Sequence, residues 1–404
     1  MEDSLVQDER FLNNKSICIL PWIHQYGDLS GRYGLCCFTL NHKNNLFGEG
    51  LSPLEAFNSK HMKNARLAML SGKRIRDCKV CYEWEDQGIE SHRVRMNNKF
   101  SQYNKLYDKT DTDGYLNSPP IYLDIRFGNL CNFKCRMCGS YASSSWAKED
   151  KHFGKLDKDA PNHYDHWTDN EKFWKDIDEI KKYIRVLYFA GGEPFVQEGH
   201  YKMLQFLVDS DCSKNIELSY NTNLSYNGVF KGYDIEKLWS CFKDVDIWPS
   251  IEGFEEKAEY GRKGLDFDLF TKNAKKYSKY IKTFSLVSSV YSISSNLELI
   301  KWIKSLDKTF SITNLVNPQY QSTTIFSDEV KKRILKKYKN ESSFLSTLTT
   351  DEVLNIKNSL KHMMSSNDAA LANEFKAQTT KHDLYRNESF EATYSELAEW
   401  YKNI

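Results

Sequence analysis

The sequence predicts an α/β protein, a partial (β/α)₆ TIM-like barrel with a cysteine-rich module before it and helices after it. Two observations carry this prediction. Strand-like and helix-like segments alternate between residues 120 and 316, as in a parallel sheet with right-handed crossovers. The ten cysteines are unevenly distributed, and eight of them precede residue 140. The predicted parts are a module over 1–95, a linker over 96–118, a barrel over 119–317 and a helical extension over 318–404.

Six segments of the predicted barrel are rich in β-branched and aromatic residues, as strands are. These strand candidates are residues 121–127, 185–190, 215–220, 244–251, 283–291 and 309–316. Helix-like stretches lie between most of them. Within the module, residues 54–70 are predicted to form one helix, and the polar linker is predicted to be extended or a surface helix.

Composition excludes several classes of function. Hydrophobic residues make up 40% of the 404 residues and charged residues 27%, which is typical of globular proteins. Since 56 Lys and Arg residues balance 55 Asp and Glu residues, we expect no nucleic-acid or membrane partner. The polar N-terminal stretch is unlike a signal peptide, so we expect a cytoplasmic protein. In that reducing compartment, clustered cysteines are typical of metal ligands rather than disulfides.

Three cysteines stand together on a loop that follows the first predicted strand. Cys131, Cys135 and Cys138 form a C-x₃-C-x₂-C pattern. Three thiolates at this spacing can bind three irons of a [4Fe–4S] cluster, which leaves the fourth iron without a protein ligand. An open coordination position is where a metal centre can bind a substrate. The alternative is zinc or chance clustering, and His152 is the one candidate for a fourth zinc ligand in the stretch just after Cys138.

This motif resembles the signature of the radical S-adenosylmethionine (SAM) superfamily. The resemblance implies that SAM chelates the unique iron and is cleaved by one electron to a 5′-deoxyadenosyl radical, which abstracts hydrogen from a substrate. It also implies an electron donor such as flavodoxin or ferredoxin. Met137 replaces the aromatic residue often found before the third cysteine, and its apolar side chain is suited to packing against adenine.

Two further strand ends are similar to the family's SAM contacts. The second strand candidate runs into Gly191, Gly192, Glu193 and Pro194, a stretch that the resemblance assigns to the SAM amino group. The third ends in Asn221, which implies a cofactor contact, although an ordinary polar turn is the alternative. Leu224 stands where the family usually has glycine.

The fourth strand candidate ends in Ser250, and Arg262 follows twelve residues later. Many family members share this spacing, which implies that the two residues bind the SAM ribose and carboxylate. Glu252 replaces the usual Asp. All of these motifs follow consecutive strands, and functional loops of α/β barrels gather at the carboxyl ends of strands.

The N-terminal cysteines form a second set. The spacing of Cys18, Cys36, Cys78 and Cys81 resembles the twitch module, a shortened SPASM domain, although here the module precedes the barrel. The resemblance implies one auxiliary [4Fe–4S] cluster with four cysteine ligands. A four-cysteine zinc site is the alternative. Cys37 is either a small buried hydrophobic residue or a substitute ligand.

Taken together, these features predict a radical SAM enzyme that acts on an unactivated C–H bond, with an auxiliary cluster for electron transfer. A small-molecule substrate is favoured over a ribosomal peptide, because residues 1–95 are occupied by the cysteine module. The rival function is a non-catalytic zinc- or metal-binding interaction protein. His92, near Arg93 and Arg95, is expected at the surface, with a place in the active site as the alternative, and the basic run 331–339 is expected to be a solvated helix face.

Overall fold

The structure is a computed structural model that describes residues 14–41, 46–86, 88, 90–163, 167–226 and 228–404. The chain forms two compact units, each assembled from separate stretches. The first contains Met1–Leu130, His163–Ser219 and Gly228–Val245, and the second contains Cys131–Asn162, Tyr220–Asn227 and Asp246–Ile404. The domain boundaries predicted from the sequence follow the chain contiguously and stay a prediction.

Strands and helices alternate through the middle of the chain. The strands are β1 (His24–Gly27), β2 (Tyr33–Gly34), β3 (Tyr122–Ile125), β4 (Lys134–Cys135), β5 (Val186–Phe189), β6 (Glu217–Thr222), β7 (Val229–Phe230), β8 (Tyr233–Asp234), β9 (Asp244–Pro249), β10 (Arg262–Lys263), β11 (Thr283–Ser288) and β12 (Thr309–Asn314). One sheet has the order β2-β1-β3-β5-β6-β9, and β11 pairs with β12 in another. The pairs β1–β3, β3–β5 and β11–β12 are parallel. A mixed α/β class with a mostly parallel sheet is therefore confirmed.

All six strand candidates contain a strand, namely β3, β5, β6, β9, β11 and β12. Buried and less buried residues alternate along β6, β9 and β11, which is the period of two that a strand imposes. The strands outside these candidates were not predicted, β1 among them. Strand β1 lies in the cysteine-rich segment, yet it pairs in parallel with β3, with His24 opposite Tyr122.

The helices are α1 (Leu20–Ile23), α2 (Pro53–Phe57), α3 (Lys60–Leu70), α4 (Lys79–Asp86), α5 (His92–Lys99), α6 (Ala147–His152), α7 (Glu171–Ile180), α8 (Glu198–Asp209), α9 (Ile235–Trp239), α10 (Glu256–Gly261), α11 (Phe267–Lys276), α12 (Asn296–Ser305), α13 (Asp328–Asn340), α14 (Ser342–Leu345), α15 (Thr350–Met364), α16 (Ala372–Arg386), α17 (Phe390–Thr393) and α18 (Ala398–Lys402). Among the described residues, none of these helices is long and apolar enough to cross a membrane.

The helix predicted over 54–70 is interrupted, because Ser59 caps a new helix, α3, by accepting a hydrogen bond from Met62 N. Helix α5 and a 3₁₀ turn over Ser101–Lys109 occupy the segment predicted as a linker. Residues beyond 318 are helical, as predicted.

The core of the first unit surrounds Trp22, which is fully buried. Its indole Nε1 donates to Thr110 Oγ1 at 2.8 Å, and its ring meets Tyr107 edge to face at 4.9 Å. Val186 of β5 belongs to the same apolar cluster. The cysteine-rich segment and a strand of the central sheet therefore share one core, and losing a buried ring of this size costs about 3–5 kcal/mol.

Candidate cluster-binding sites

The loop that carries the cysteine triad is shaped by its own short strand. Strand β4 pairs antiparallel with β10, and this register places Cys135 opposite Arg262. Cys138 N donates to Cys135 O at 2.9 Å, which closes a turn between the second and third cysteines. Phe133 N lies 3.5 Å from Cys131 Sγ. The backbone therefore holds the three predicted ligands on one compact loop.

The triad thiols are half-buried, and their surroundings oppose ionisation. Burial raises the pKa of Cys138 to about 12 and also raises the pKa of Cys135. Arg262 acts in the opposite direction, since its Nη1 lies 3.7 Å from Cys135 Sγ. A cationic donor at this position favours the thiolate, which is the form that binds metal.

Arg262 is itself held by a buried carboxylate. Its Nη2 donates to Glu252 Oε1 at 2.7 Å, and its Nε donates to the other oxygen of the same carboxylate. Glu252 is only 1% exposed. Burying these charges is tolerable because they form a bidentate pair. Removing either partner would leave the other charge buried and unpaired. No role for Glu252 followed from its sequence motif. The structure assigns it the orientation of Arg262.

The turn after β6 meets the triad loop. Asn223 Nδ2 donates to Asn132 Oδ1 at 3.0 Å, and Asn132 directly follows Cys131. Leu224 has φ of 54°, the left-handed region, which explains why glycine suits this position. Here leucine is held in that conformation by burial and by Asn273 Nδ2, which donates to its carbonyl at 2.8 Å.

The remaining predicted residues of the second unit lie at the ends of strands. Asn221 lies in β6. Ser250 directly follows β9, and its amide donates to Thr222 O at 2.8 Å. Met137 is half-buried between the second and third cysteines. Contacts of these residues with SAM stay a prediction.

In the first unit, the Gly-Gly-Glu-Pro stretch packs against the backbone that leads into the triad. A Cβ on Gly192 would lie 2.5 Å from Leu130 O, so only glycine fits. Glu193 N donates to that same carbonyl at 2.8 Å. The Glu193 carboxylate is buried and accepts a hydrogen bond from Phe195 N, and Pro194 begins the short 3₁₀ helix that follows.

Four cysteines from distant parts of the first unit line one cavity. They are Cys18, Cys36, Cys78 and Cys81, the set that the spacing singled out. The volume of this cavity is about 10 Å³. Cys37 does not line this cavity. Burial raises the pKa of the Cys37 thiol, and the charges of Asp124 and Arg126 act on this pKa in opposite directions.

Burial raises the pKa of all four cavity thiols, that of Cys18 to about 12. Arg93 lines the same cavity and counteracts this effect at Cys18, Cys78 and Cys81. Its Nη1 donates to Ile17 O at 2.5 Å, and its Nε donates to Glu85 at 2.9 Å. No motif pointed to Arg93, since an arginine eleven or more residues past a cysteine pair has no distinctive spacing.

His92 was expected at the surface, and this expectation is wrong. Its ring forms part of the cavity wall and stacks on Phe38 at 4.8 Å. Burial lowers the pKa of His92 to about 4, so the imidazole is neutral at physiological pH.

The donor sets fit iron–sulfur clusters in number and chemistry. Among the residues described, no group of three or more His, Cys, Asp or Glu side chains converges to hold a metal ion. A [4Fe–4S] cluster has a different requirement, because each thiolate binds a different iron and the ligands surround a space. Four cysteine thiols line the cavity, and three lie on the triad loop.

No protein-family model matches the sequence, and no curated protein matches it. Among solved structures, Streptococcus suis SuiB bound to its precursor peptide SuiA is similar at 16% identity and a TM-score of 0.38, covering 71% of this chain and 64% of SuiB. SuiB bound to S-adenosylmethionine matches at 16% identity and a TM-score of 0.37, covering 69% of this chain and 63% of SuiB. The chain thus spans less than two thirds of these SuiB chains. A likeness at this level carries no argument about function. The argument for function therefore rests on the residues of this chain.

Proposed function

We propose that the chain is a radical SAM enzyme in which Cys131, Cys135 and Cys138 hold a [4Fe–4S] cluster and SAM occupies its unique iron. When bound, the reduced cluster supplies the electron that cleaves SAM to a 5′-deoxyadenosyl radical, which then abstracts hydrogen from a substrate. The protein's part is to position these cofactors and to exclude water.

One observation carries this proposal. Arg262 and the cysteine triad were predicted from motifs more than a hundred residues apart, and Arg262 Nη1 lies 3.7 Å from Cys135 Sγ. Unrelated motifs have no reason to meet. A guanidinium at this position suits both the anionic cluster and the carboxylate of a bound SAM, because arginine presents several donors at fixed angles.

The chain's own residues then have distinct tasks. Glu252 orients Arg262, and Arg262 stabilises negative charge at Cys135. Ser250 is proposed for the ribose, Glu193 for the amino group, and Met137 and Asn221 for further SAM contacts. In this proposal the central sheet belongs to a partial (β/α)₆ barrel, whose strand ends present these side chains.

We further propose that Cys18, Cys36, Cys78 and Cys81 hold an auxiliary [4Fe–4S] cluster in a twitch-like module. Four thiols line the cavity, so every iron would have a protein ligand. A cluster closed in this way can accept an electron from a substrate radical, which suits an oxidation, but it offers no iron to the substrate. The source of electrons would be flavodoxin or ferredoxin in the cytoplasm.

The substrate class stays open between a small molecule, which the sequence favours, and a peptide. Peptide probes therefore belong beside small molecules in any substrate search.

Metal analysis of anaerobically purified protein tests this function against the rival zinc-binding protein. We expect about eight irons per chain, four for each cluster, and brown protein with broad visible absorption. Colourless protein with zinc at both sites, and no iron uptake on reconstitution, would establish the rival.

A further inference from the structure

The C-terminal helical extension contacts the cysteine loop inside the second unit. Three consecutive carbonyls of the loop accept side-chain hydrogen bonds. Arg386 Nη1 donates to Lys134 O at 3.1 Å, and Gln321 Nε2 donates to Arg136 O at 3.0 Å. Between them, Trp146 Nε1 donates to Cys135 O at 3.0 Å. Two of the three donors come from residues beyond 318.

Arg136 directly follows Cys135, and its side chain points into the C-terminal extension. Its Nη2 donates to Asp383 Oδ1 and to Glu388 Oε2, both at 2.5 Å. Its guanidinium lies 3.6 Å from the centre of the Tyr260 ring, and Tyr260 Oη donates to Asp383 at 2.7 Å. The Arg136 side chain is 2% exposed, so these partners are needed to satisfy a buried charge.

A second group of ion pairs holds helix α16, which supplies Asp383. Glu149 of α6 is fully buried and accepts hydrogen bonds from His382 Nδ1 at 2.5 Å and from Arg386 Nε at 3.0 Å. Lys134 Nζ also reaches Glu149, at 3.2 Å. The guanidinium of Arg386 lies 4.5 Å over the Trp146 ring. Helix α16 thus contacts the loop through both Asp383 and Arg386.

We propose that the C-terminal extension is a clamp on the cysteine loop, in which Asp383, Arg386 and Gln321 are positioning residues. They fix the backbone of residues 134–136 and thereby the spacing of the three thiols. The inference rests on the proposed function, because its purpose is to hold a cluster whose fourth iron must stay open. None of these residues needs to touch SAM or substrate.

The test compares Asp383→Asn with Glu374→Gln, which removes one negative charge from an exposed position of the same helix. Hydrogen exchange of residues 131–138 is measured first in the apo protein, so this readout does not depend on iron. In Asp383→Asn we expect exchange of this segment to accelerate by about tenfold, since the hydrogen bond from Arg136 loses its charged acceptor. Exchange in Glu374→Gln should match the unaltered protein.

The second readout is the EPR spectrum and reduction potential of the cluster that the triad binds. Asp383→Asn should keep its iron but change the spectrum and raise the potential, because one negative charge near the loop is removed. Gln321→Met provides a variant that removes only the hydrogen bond to Arg136 O and therefore decides the matter if Asp383→Asn does not fold.

Faster exchange with an altered spectrum in either folded variant supports the clamp. Exchange and spectra equal to those of Glu374→Gln would overturn it. If the triad binds no cluster in the unaltered protein, the proposed function fails, while exchange in the apo protein still tests whether the extension holds the loop.

Discussion

The two cysteine sites are built in opposite ways. The triad lies on one loop of eight residues, with half-buried thiols and Arg262 beside them. The cavity cysteines come from three places in the chain, since Cys78 and Cys81 are neighbours, and Cys18 and Cys81 are each 5% exposed. A loop with three thiols would leave one iron of a cluster without a protein ligand, whereas four thiols around one cavity would form a closed site. Under the proposed function, the first site would bind the reacting cofactor and the second would transfer electrons.

The largest expected effect is at the closed site. Replacing Cys78 and Cys81 with Ala should remove about four of about eight irons and stop substrate turnover. SAM cleavage without substrate should continue, because the triad keeps its own ligands. Iron analysis and 5′-deoxyadenosine assays measure both. A spectrum that shows an exchangeable, non-cysteine ligand on the auxiliary cluster when substrate is added would contradict a closed site.

The next effect concerns the ion pairs around the triad loop and depends on pH. Burial alone would raise the pKa of Glu149, but hydrogen bonds and charges of His382 and Arg386 hold it down at about 2. The resulting stabilisation is complete above the ordinary value of 4.5 and is lost as the pH falls toward 2. The shift corresponds to about 3 kcal/mol.

Denaturant unfolding at several pH values measures this contribution of Glu149 to the free energy of unfolding. Glu149→Gln should be less stable than the unaltered protein at pH 7, and the difference should shrink below about pH 4. The exposed acid Glu374 offers a matched control, Glu374→Gln. Equal stability of Glu149→Gln and this control at neutral pH would contradict the assignment.

A smaller effect is expected on SAM binding. Ser250→Ala and Arg262→Ala should each weaken SAM affinity by about 1–3 kcal/mol, because a polar group of SAM loses its partner. Iron content should be unchanged in Ser250→Ala. Arg262→Ala also leaves Glu252 buried and unpaired, so Arg262→Lys is the better folded comparison. Unaltered affinity in the serine and lysine variants would refute these contacts.

The smallest effect distinguishes two neighbouring cysteines. Cys37 does not line the four-cysteine cavity, whereas Cys36 does. Cys37→Ser should therefore keep about eight irons, and Cys36→Ser should lose auxiliary-cluster iron. Iron loss that is equal in the two variants would show that Cys37 is a ligand after all.

Much of the architecture was predictable because it depends on local patterns. Alternation of strand-like and helix-like segments located six strands, and cysteine spacing singled out the four thiols that line one cavity. Strand β1 was missed because its four residues, His24–Gly27, carry no β-branched side chain and are too few to show a period.

The side-chain partners of the triad loop were not predictable for a different reason. Arg136 and Asp383 are 247 residues apart, and nothing in the spacing of charges across such a distance identifies a buried pair. The contact of Arg93 with the four-cysteine cavity was likewise not predictable from the sequence. The pairing of Glu252 with Arg262 is partly visible in the sequence, because the two opposite charges flank a predicted site. The burial of both side chains, which only the structure shows, is what makes the pair important.

The most direct measurement of the central claim is formation of 5′-deoxyadenosine by the triad variant. Anaerobic protein reduced with dithionite should convert SAM to 5′-deoxyadenosine and methionine. Replacing Cys131, Cys135 and Cys138 with Ala should leave about four irons in the cavity cluster and abolish this product. If the triple variant still cleaves SAM, the triad is not the catalytic site.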